Sequence, residues 1–246
     1  MKTAALVRAV LADLDDTLFD HRGATRDGLA ALCAMEEGFA RWAPEEFDSR
    51  HRLVLEVLHL DVLAGRRSID EARRERFSQL LDQAGVAADE ARVTVLAEGY
   101  RHAYQAAWRP LPGAVKLARA LSDAGVRFII VTNNLVAEQA RKLEFCGLTP
   151  YVDALVTSEE VGVAKPAPEM FREALRRAGV TPDHAVMLGD SWAADITGAR
   201  AAGLRVVWFN PEQATAPEAG VLEVSCLEPV SDVLRVLGVT TASGRR

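Results

Sequence analysis

Short apolar runs alternate with longer amphipathic stretches along this chain. LVRAVLAD (6–13) predicts a buried strand that ends in an acid. From residue 109 onward the alternation is regular. RFIIVT (127–132), VDALVT (152–157), AVMLG (185–189) and RVVWF (205–209) are brief and rich in β-branched residues, and helical stretches separate them. Gly125, Gly147, Gly179 and Gly203 stand where those helices should stop, because glycine accepts the left-handed conformation of a helix C-terminus. Strand, helix, glycine and strand in repetition predict an α/β fold: a doubly wound parallel sheet with helices on both faces.

Residues 19–108 break this rhythm. LVLEVLHLDVL (53–63), RRERFSQLLDQAG (73–85) and ARVTVLAEGYRHAYQAAW (91–108) carry apolar residues at helical spacing, and no convincing strand lies among them. The expected organisation is therefore an α/β core of residues 1–18 and 109–246, with 19–108 inserted as an all-helical domain. RPLPG (109–113) reads as the hinge that closes the insert.

Composition narrows the partners. The 246 residues are 49% apolar and 26% charged, an ordinary globular balance in a chain long enough to bury a core without a disulfide or structural metal. Twenty-nine basic residues face 35 acidic ones, a net charge of -6, which argues against nucleic acid as the main partner. Cys33, Cys146 and Cys226 lie far apart and form no CxxC, as expected in a reducing compartment. The N-terminus is too short in apolar run and too charged for a signal peptide, and no window approaches 18 uninterrupted apolar residues. The expectation is a cytoplasmic protein with no membrane partner, working as a monomer or homodimer.

Candidate chemistry gathers at the predicted strand ends, where parallel α/β sheets bind ligands. Asp13, Asp15 and Asp16 follow the first strand, and strand alternation would put Asp13 and Asp15 on one side. Asp-Asp-Thr is also good helix-capping chemistry. VTNN ends the next strand and offers Thr132 and Asn133 before a helix N-terminus suited to phosphate. Lys165 is one of only four lysines, at 2, 116, 142 and 165, in a chain that otherwise uses arginine. Its compact ammonium differs physically from a guanidinium fork. GDSWAAD (189–195) brings Asp190 and Asp195, with N-capping by Asp190 or Ser191 as the plainer reading. Carboxylates crowded in this way repel unless a cation neutralises them. With oxygen ligands and no His or Cys cluster, Mg2+ is the natural candidate.

These residues resemble the motifs of the haloacid dehalogenase-like (HAD) hydrolases, in order. DxDxT is Asp13-Leu14-Asp15-Asp16-Thr17, the strand-end hydroxyl is Thr132, the lysine is Lys165, and GDxxxxD runs from Gly189-Asp190 to Asp195. The resemblance covers the whole core, and the insert falls where that family places its helical type 1 cap. Ala12 stands where the family often has Phe. The resemblance implies a Rossmann-like core and hydrolysis of a small phosphate ester. Asp13 is the implied nucleophile and Asp15 the acid and base. Asp13, the backbone carbonyl of Asp15, and Asp190 would hold Mg2+. Thr132, Asn133 and Lys165 would bind the phosphoryl group, and Asp195 would orient Lys165 or a metal-bound water. The cap would exclude water and read the leaving group, with Asp20, His21, Arg22 and the turn Gly65-Arg66-Arg67 as candidates. The family's dehalogenase branch lacks an acid at the position of Asp15, because a halide leaves without a proton. A dehalogenase, or a non-catalytic phosphometabolite-binding or receiver-like module, are the alternatives, and Asp15 argues against both. The particular ester is not encoded in these motifs.

Overall fold

Ala9–Ala12, all fully buried, form the first strand, β1. The computed structural model describes residues 6–63 and 65–240. After β1 come four helices: α1 (His21–Met35), α2 (Pro44–Leu63), α3 (Ile69–Gln83) and α4 (Glu90–Ala106). The α/β alternation then proceeds through α5 (Ala114–Asp123), β2 (Arg127–Thr132), α6 (Val136–Phe145), β3 (Ala154–Thr157), α7 (Ser158–Val161), α8 (Pro168–Ala178) and β4 (Ala185–Gly189). A π-helical turn, Trp192–Thr197, runs into α9 (Gly198–Ala201). β5 (Arg205–Phe209), β6 (Leu222–Val224) and α10 (Val230–Leu237) complete the chain. The helix stops foreseen at Gly125, Gly147, Gly179 and Gly203 all have positive φ, between 65° and 83°. Among the described residues, no helix is long and apolar enough to cross a membrane.

The strands form one parallel sheet in the order β3-β2-β1-β4-β5-β6. β1 lies between β2 and β4, with Ala12 level with both Ile130 and Leu188. Chain progression reverses direction between β1 and β4, the crevice where such sheets take ligands. Ala9, Leu11, Ile129, Val131 and Met187 on one face pack with Met170, Phe171 and Ala174 of α8. The intervening residues Val10, Phe128, Ile130, Val186 and Leu188 are equally buried. They face the other side, as strand alternation requires, and α5 lies against β2. Burial on both faces explains why these strands read as near-continuous apolar runs.

Three differences from the sequence reading have simple causes. β1 is shorter than 6–13: residues 6–8 lie outside it, and it ends at Ala12, where the chain turns into the loop that carries the acids. β6 is a sixth strand that the pattern hides: Leu222-Glu223-Val224 is short and largely exposed, so it carries no apolar run. α1 spans a stretch interrupted by Gly23 and Gly28. The close approach of α1 and α4 demands the second of these, since a Cβ on Gly28 would lie 2.8 Å from the Tyr100 ring.

By internal contacts the chain divides in two, residues up to Asp20 with those from Arg109 on, and His21–Trp108. In the helical unit α1 packs on α4 and α2 on α3. Ser68 and Glu71 form a capping box at the start of α3, and Asp89 caps α4. The interior is partly polar. His51 is buried against Tyr100, and Arg76 lies over the Phe77 and Tyr100 rings at 4.8 and 4.9 Å.

Candidate active site

Past Ala12 the chain winds into a single turn. The amides of Thr17, Leu18 and Phe19 all donate to the Leu14 carbonyl, at 3.3, 2.9 and 2.9 Å. Asp16 sits in the left-handed region at φ 60°, a conformation that aspartate tolerates better than most residues. Phe19 bridges both Asp15 and Pro110, and the Leu111 amide donates to the Leu18 carbonyl at 2.8 Å. The outgoing and returning segments are thereby tied together beside the acids. Strand alternation does not govern Asp15, because the strand has already ended, and Asp13 and Asp15 are held by different lysines.

Asp13 stands at the C-terminal end of β1, its amide donating to the Leu188 carbonyl of β4 at 3.0 Å. Its Oδ1 lies 2.6 Å from Lys165 Nζ. The same ammonium donates to Asp195 Oδ1 at 2.6 Å and to the Val131 carbonyl at 2.7 Å. All three Lys165 protons are therefore engaged. Asp195 is fully buried and also accepts from the Ser191 amide at 3.1 Å. Gly189 makes room for it, since a Cβ there would lie 2.4 Å from Asp195 Oδ2. Asp190 follows β4 directly. Its amide donates to Thr17 Oγ1 at 3.1 Å, and its carbonyl accepts from Trp208 Nε1 at 2.8 Å. Ser191, not Asp190, is the N-cap of the π-helical turn, accepting from the Ala194 amide.

Carboxylate oxygens of Asp13, Asp190 and Asp195 lie within 4.8 Å of one another. The Lys165 ammonium contacts two of these three acids, Asp13 and Asp195. Burial pushes the Asp13 carboxyl well above its usual range; Lys165 opposes that rise, while Asp195 and Asp190 add to it. Burial also works against the Lys165 charge, but Asp13 and Asp195 outweigh it and hold the ammonium above the usual lysine range. The surplus negative charge and the all-oxygen donor set fit a hard divalent cation.

Thr132 is the last residue of β2 and is buried. The Asn133 side chain is used at both ends: its Nδ2 donates to the Lys165 carbonyl at 2.9 Å, and its Oδ1 accepts from the Lys165 amide at 2.6 Å. It anchors the loop that carries Lys165. The Asp15 carboxylate faces two residues that the sequence reading passed over. Lys142 Nζ is 2.7 Å from its Oδ1 and Gln139 Nε2 is 2.9 Å from its Oδ2. Lys142 shares the rarity that singled out Lys165, so the same signal pointed to it. Gln139 carried no signal of its own, whereas Thr17 stood in the DxDxT motif without a role assigned to it.

Of the other candidates, Asp20 pairs with Arg109 at 2.7 Å. In the helical unit, His21 Nδ1 and the Tyr104 hydroxyl share a hydrogen bond of 2.8 Å, and Arg22 is exposed. Arg66 pairs with Asp61 at 2.8 Å, and Arg67 lies 4.0 Å from Glu75.

Residues 7–203 match the sequence model of the haloacid dehalogenase-like hydrolases. The ribulose-1,5-bisphosphate 5-phosphatase of Halopiger xanaduensis is 35% identical over 226 residues, 87% of this chain and 90% of that one. The pyrimidine 5'-nucleotidase YjjG of Escherichia coli is 33% identical over 230 residues, 92% of this chain and 96% of its own length. Among solved structures, the magnesium-bound putative HAD-hydrolase YfnB of Bacillus subtilis superposes with a TM-score of 0.75 at 28% identity, over 94% of this chain and 100% of that one.

Proposed function

The chain belongs to the haloacid dehalogenase-like hydrolases, and on that premise we propose that it is a Mg2+-dependent phosphomonoesterase acting on a small phosphorylated metabolite. The observation that carries this reading is a pair of acids two residues apart, each held by its own buried lysine: Asp13 by Lys165 and Asp15 by Lys142, at 2.6 and 2.7 Å. A nucleophile followed by an acid suits a leaving group that must be protonated. A phosphate ester has one and a halide does not.

In this mechanism an Asp13 oxygen attacks phosphorus in line and the ester oxygen departs, leaving an aspartyl-phosphate. Asp15 gives that oxygen its proton, then takes one from the water that hydrolyses the acyl phosphate. Asp13, the Asp15 carbonyl and Asp190 would hold the cation, which when bound supplies positive charge against the phosphoryl oxygens. Asp195 keeps Lys165 charged and in place. Thr132 serves the phosphoryl oxygens, Lys165 does so with the N–H that Asp13 accepts before it attacks phosphorus, and Asn133 acts by fixing the Lys165 backbone. The names of the relatives add sugar phosphates and nucleotides as substrate classes to try. Choice among leaving groups is assigned to the helical unit.

A panel of sugar phosphates, nucleotides and short-chain 2-haloacids, assayed with Mg2+ and with chelator, tests the proposal. The expected result is Mg2+-dependent release of inorganic phosphate. Metal-independent halide release with no phosphate release would refute it.

A further inference from the structure

Gln139 and Lys142 lie three residues apart on α6, so they share a helix face. Both are fully buried. That face meets the carboxylate to which the proposed mechanism gives both proton transfers. Lys142 Nζ takes Asp15 Oδ1 at 2.7 Å, and Gln139 Nε2 takes Asp15 Oδ2 at 2.9 Å, so each oxygen has its own donor. Gln139 Nε2 also donates to Thr132 Oγ1 at 2.7 Å. The Lys142 ammonium is held in turn by Glu138 at 3.6 Å and lies 4.8 Å from the centre of the Phe19 ring.

The orientation of the Gln139 amide follows from its partners. An ionised carboxylate only accepts, so the atom facing Asp15 is the NH2 group. Gln139 Oε1 then lies buried with no hydrogen-bond partner. An orphaned buried oxygen costs stability that an apolar side chain of similar shape would not. The fold therefore gives no reason for an amide at this position, whereas the two acceptors it bridges do. The amide proton occupies a lone pair of Thr132 Oγ1, so the threonine's own O–H points away from Gln139 and remains a donor for a phosphoryl oxygen.

We infer that Lys142 and Gln139 are positioning residues for this hydrolase: together they fix the Asp15 carboxylate for proton transfer, and Gln139 sets the Thr132 hydroxyl to donate to the phosphoryl group. The inference rests on the reading of Asp15 as acid and base. Neither residue touches the reacting atoms. Lys142 acts through Asp15, and Gln139 acts through Asp15 and Thr132.

The test is single-turnover release of the leaving group from p-nitrophenyl phosphate, which needs little protonation, and from an alkyl phosphate, which needs a proton. It is run on wild type, Lys142→Met, Gln139→Leu, Asp15→Asn and the double variant Lys142→Met/Asp15→Asn. A general acid is worth about 10²–10⁴-fold, so a misplaced one should cost alkyl release roughly 10–100-fold and p-nitrophenolate release far less. Gln139→Leu, which removes the orphaned oxygen and should fold at least as well, is expected to show the same split. It should also weaken inhibition by inorganic phosphate, a loss that Lys142→Met should not show. In the Asp15→Asn background Lys142→Met should add nothing, because residues acting through one another are not additive. Equal slowing of both substrates, or a Lys142→Met effect that persists without Asp15, would overturn the positioning role while Asp15 keeps its own. An Asp15→Asn variant with no leaving-group dependence would instead overturn the acid–base reading, and the positioning inference with it.

Discussion

Replacing Gly189 by alanine tests whether Asp195 and Lys165 act as one unit. The glycine's φ is not positive, so alanine brings no backbone strain of that kind, and the perturbation is the methyl group alone. That methyl would lie 2.4, 2.5 and 2.6 Å from Asp195 Oδ2, Cγ and Cβ, against the 3.4 Å at which ordinary contact begins. The required shift is therefore about 1 Å, and rotating the carboxylate cannot supply it, because Cβ itself is in the way. The backbone of the π-helical turn must move, taking with it the carboxylate that Lys165 contacts at 2.6 Å. Overpacking of this kind costs about 1–3 kcal/mol. At about 2–4 °C per kcal/mol for a chain of this size, the melting temperature should fall by roughly 2–12 °C. A displacement of about 1 Å in a catalytic group costs on the order of 100-fold in rate. Thermal unfolding and kcat for a generic phosphate ester read the two effects separately. Wild-type values for both would refute the steric argument. A lowered melting temperature with unchanged kcat would show that Asp195 supports the fold but not the position of Lys165.

Other outcomes follow from the same geometry. Asp13→Asn should remove turnover and leave the fold, since an amide is nearly isosteric but a poor nucleophile; activity above about a hundredth of wild type would sink the nucleophile assignment. Added Mg2+ should raise the melting temperature, by about 2.7 kcal/mol of stabilisation at a hundredfold excess over Kd. Asp190→Asn should lose most of that rise, and a wild-type rise would exclude Asp190 as a ligand. In the helical unit, burial, with the Arg76 and His21 charges, holds His51 well below its usual 6.5. The unfolded chain therefore binds more protons as pH falls below 6.5, so stability from neutral His51 is intact above that pH and lost below it, at up to about 1.4 kcal/mol per unit. His51→Leu should flatten the loss of denaturant stability between about pH 6.5 and 5, and an unchanged slope would place the acid sensitivity elsewhere.

The sheet was legible because its strands are buried on both faces. Arg127–Thr132, Ala185–Gly189 and Arg205–Phe209 each carry an unbroken apolar run with a glycine-stopped helix before it, and all three have the bounds their pattern predicts. β6 was not legible, because an edge strand of three residues needs no apolar run. The acids at the ends of β1 and β4, and Lys165, were legible for a chemical reason: charges beside the ends of buried strands need an explanation that those of a solvated loop do not. The partners of Asp15 were hidden by the opposite circumstance. Gln139 and Lys142 sit in VAEQARKLEF, whose polar letters read as a solvent-facing helix, and only the fold shows that this face is buried. Rarity marked Lys142, but a lysine inside an amphipathic helix has an ordinary explanation, whereas one between Ala164 and Pro166 does not.

The tie between the segments that flank the helical unit bears on how the sheet assembles. β1 must pair with β2, and Ala9 finds its partner at Arg127, more than a hundred residues along the chain. The Asp20 amide and the Arg109 carbonyl meet at 3.1 Å, so the long insert begins and ends at adjoining points. If residues 21–108 fold first, they leave a loop of about thirty residues to close, and at about 0.6 kcal/mol per doubling of loop length the entropic saving is about 1.2 kcal/mol. A distant parallel pairing thereby becomes a nearly local one, the kind that forms quickly. For the sheet, the insert then counts as a short connection however many helices it holds, and a substitution that delays those helices slows a strand pairing it never touches.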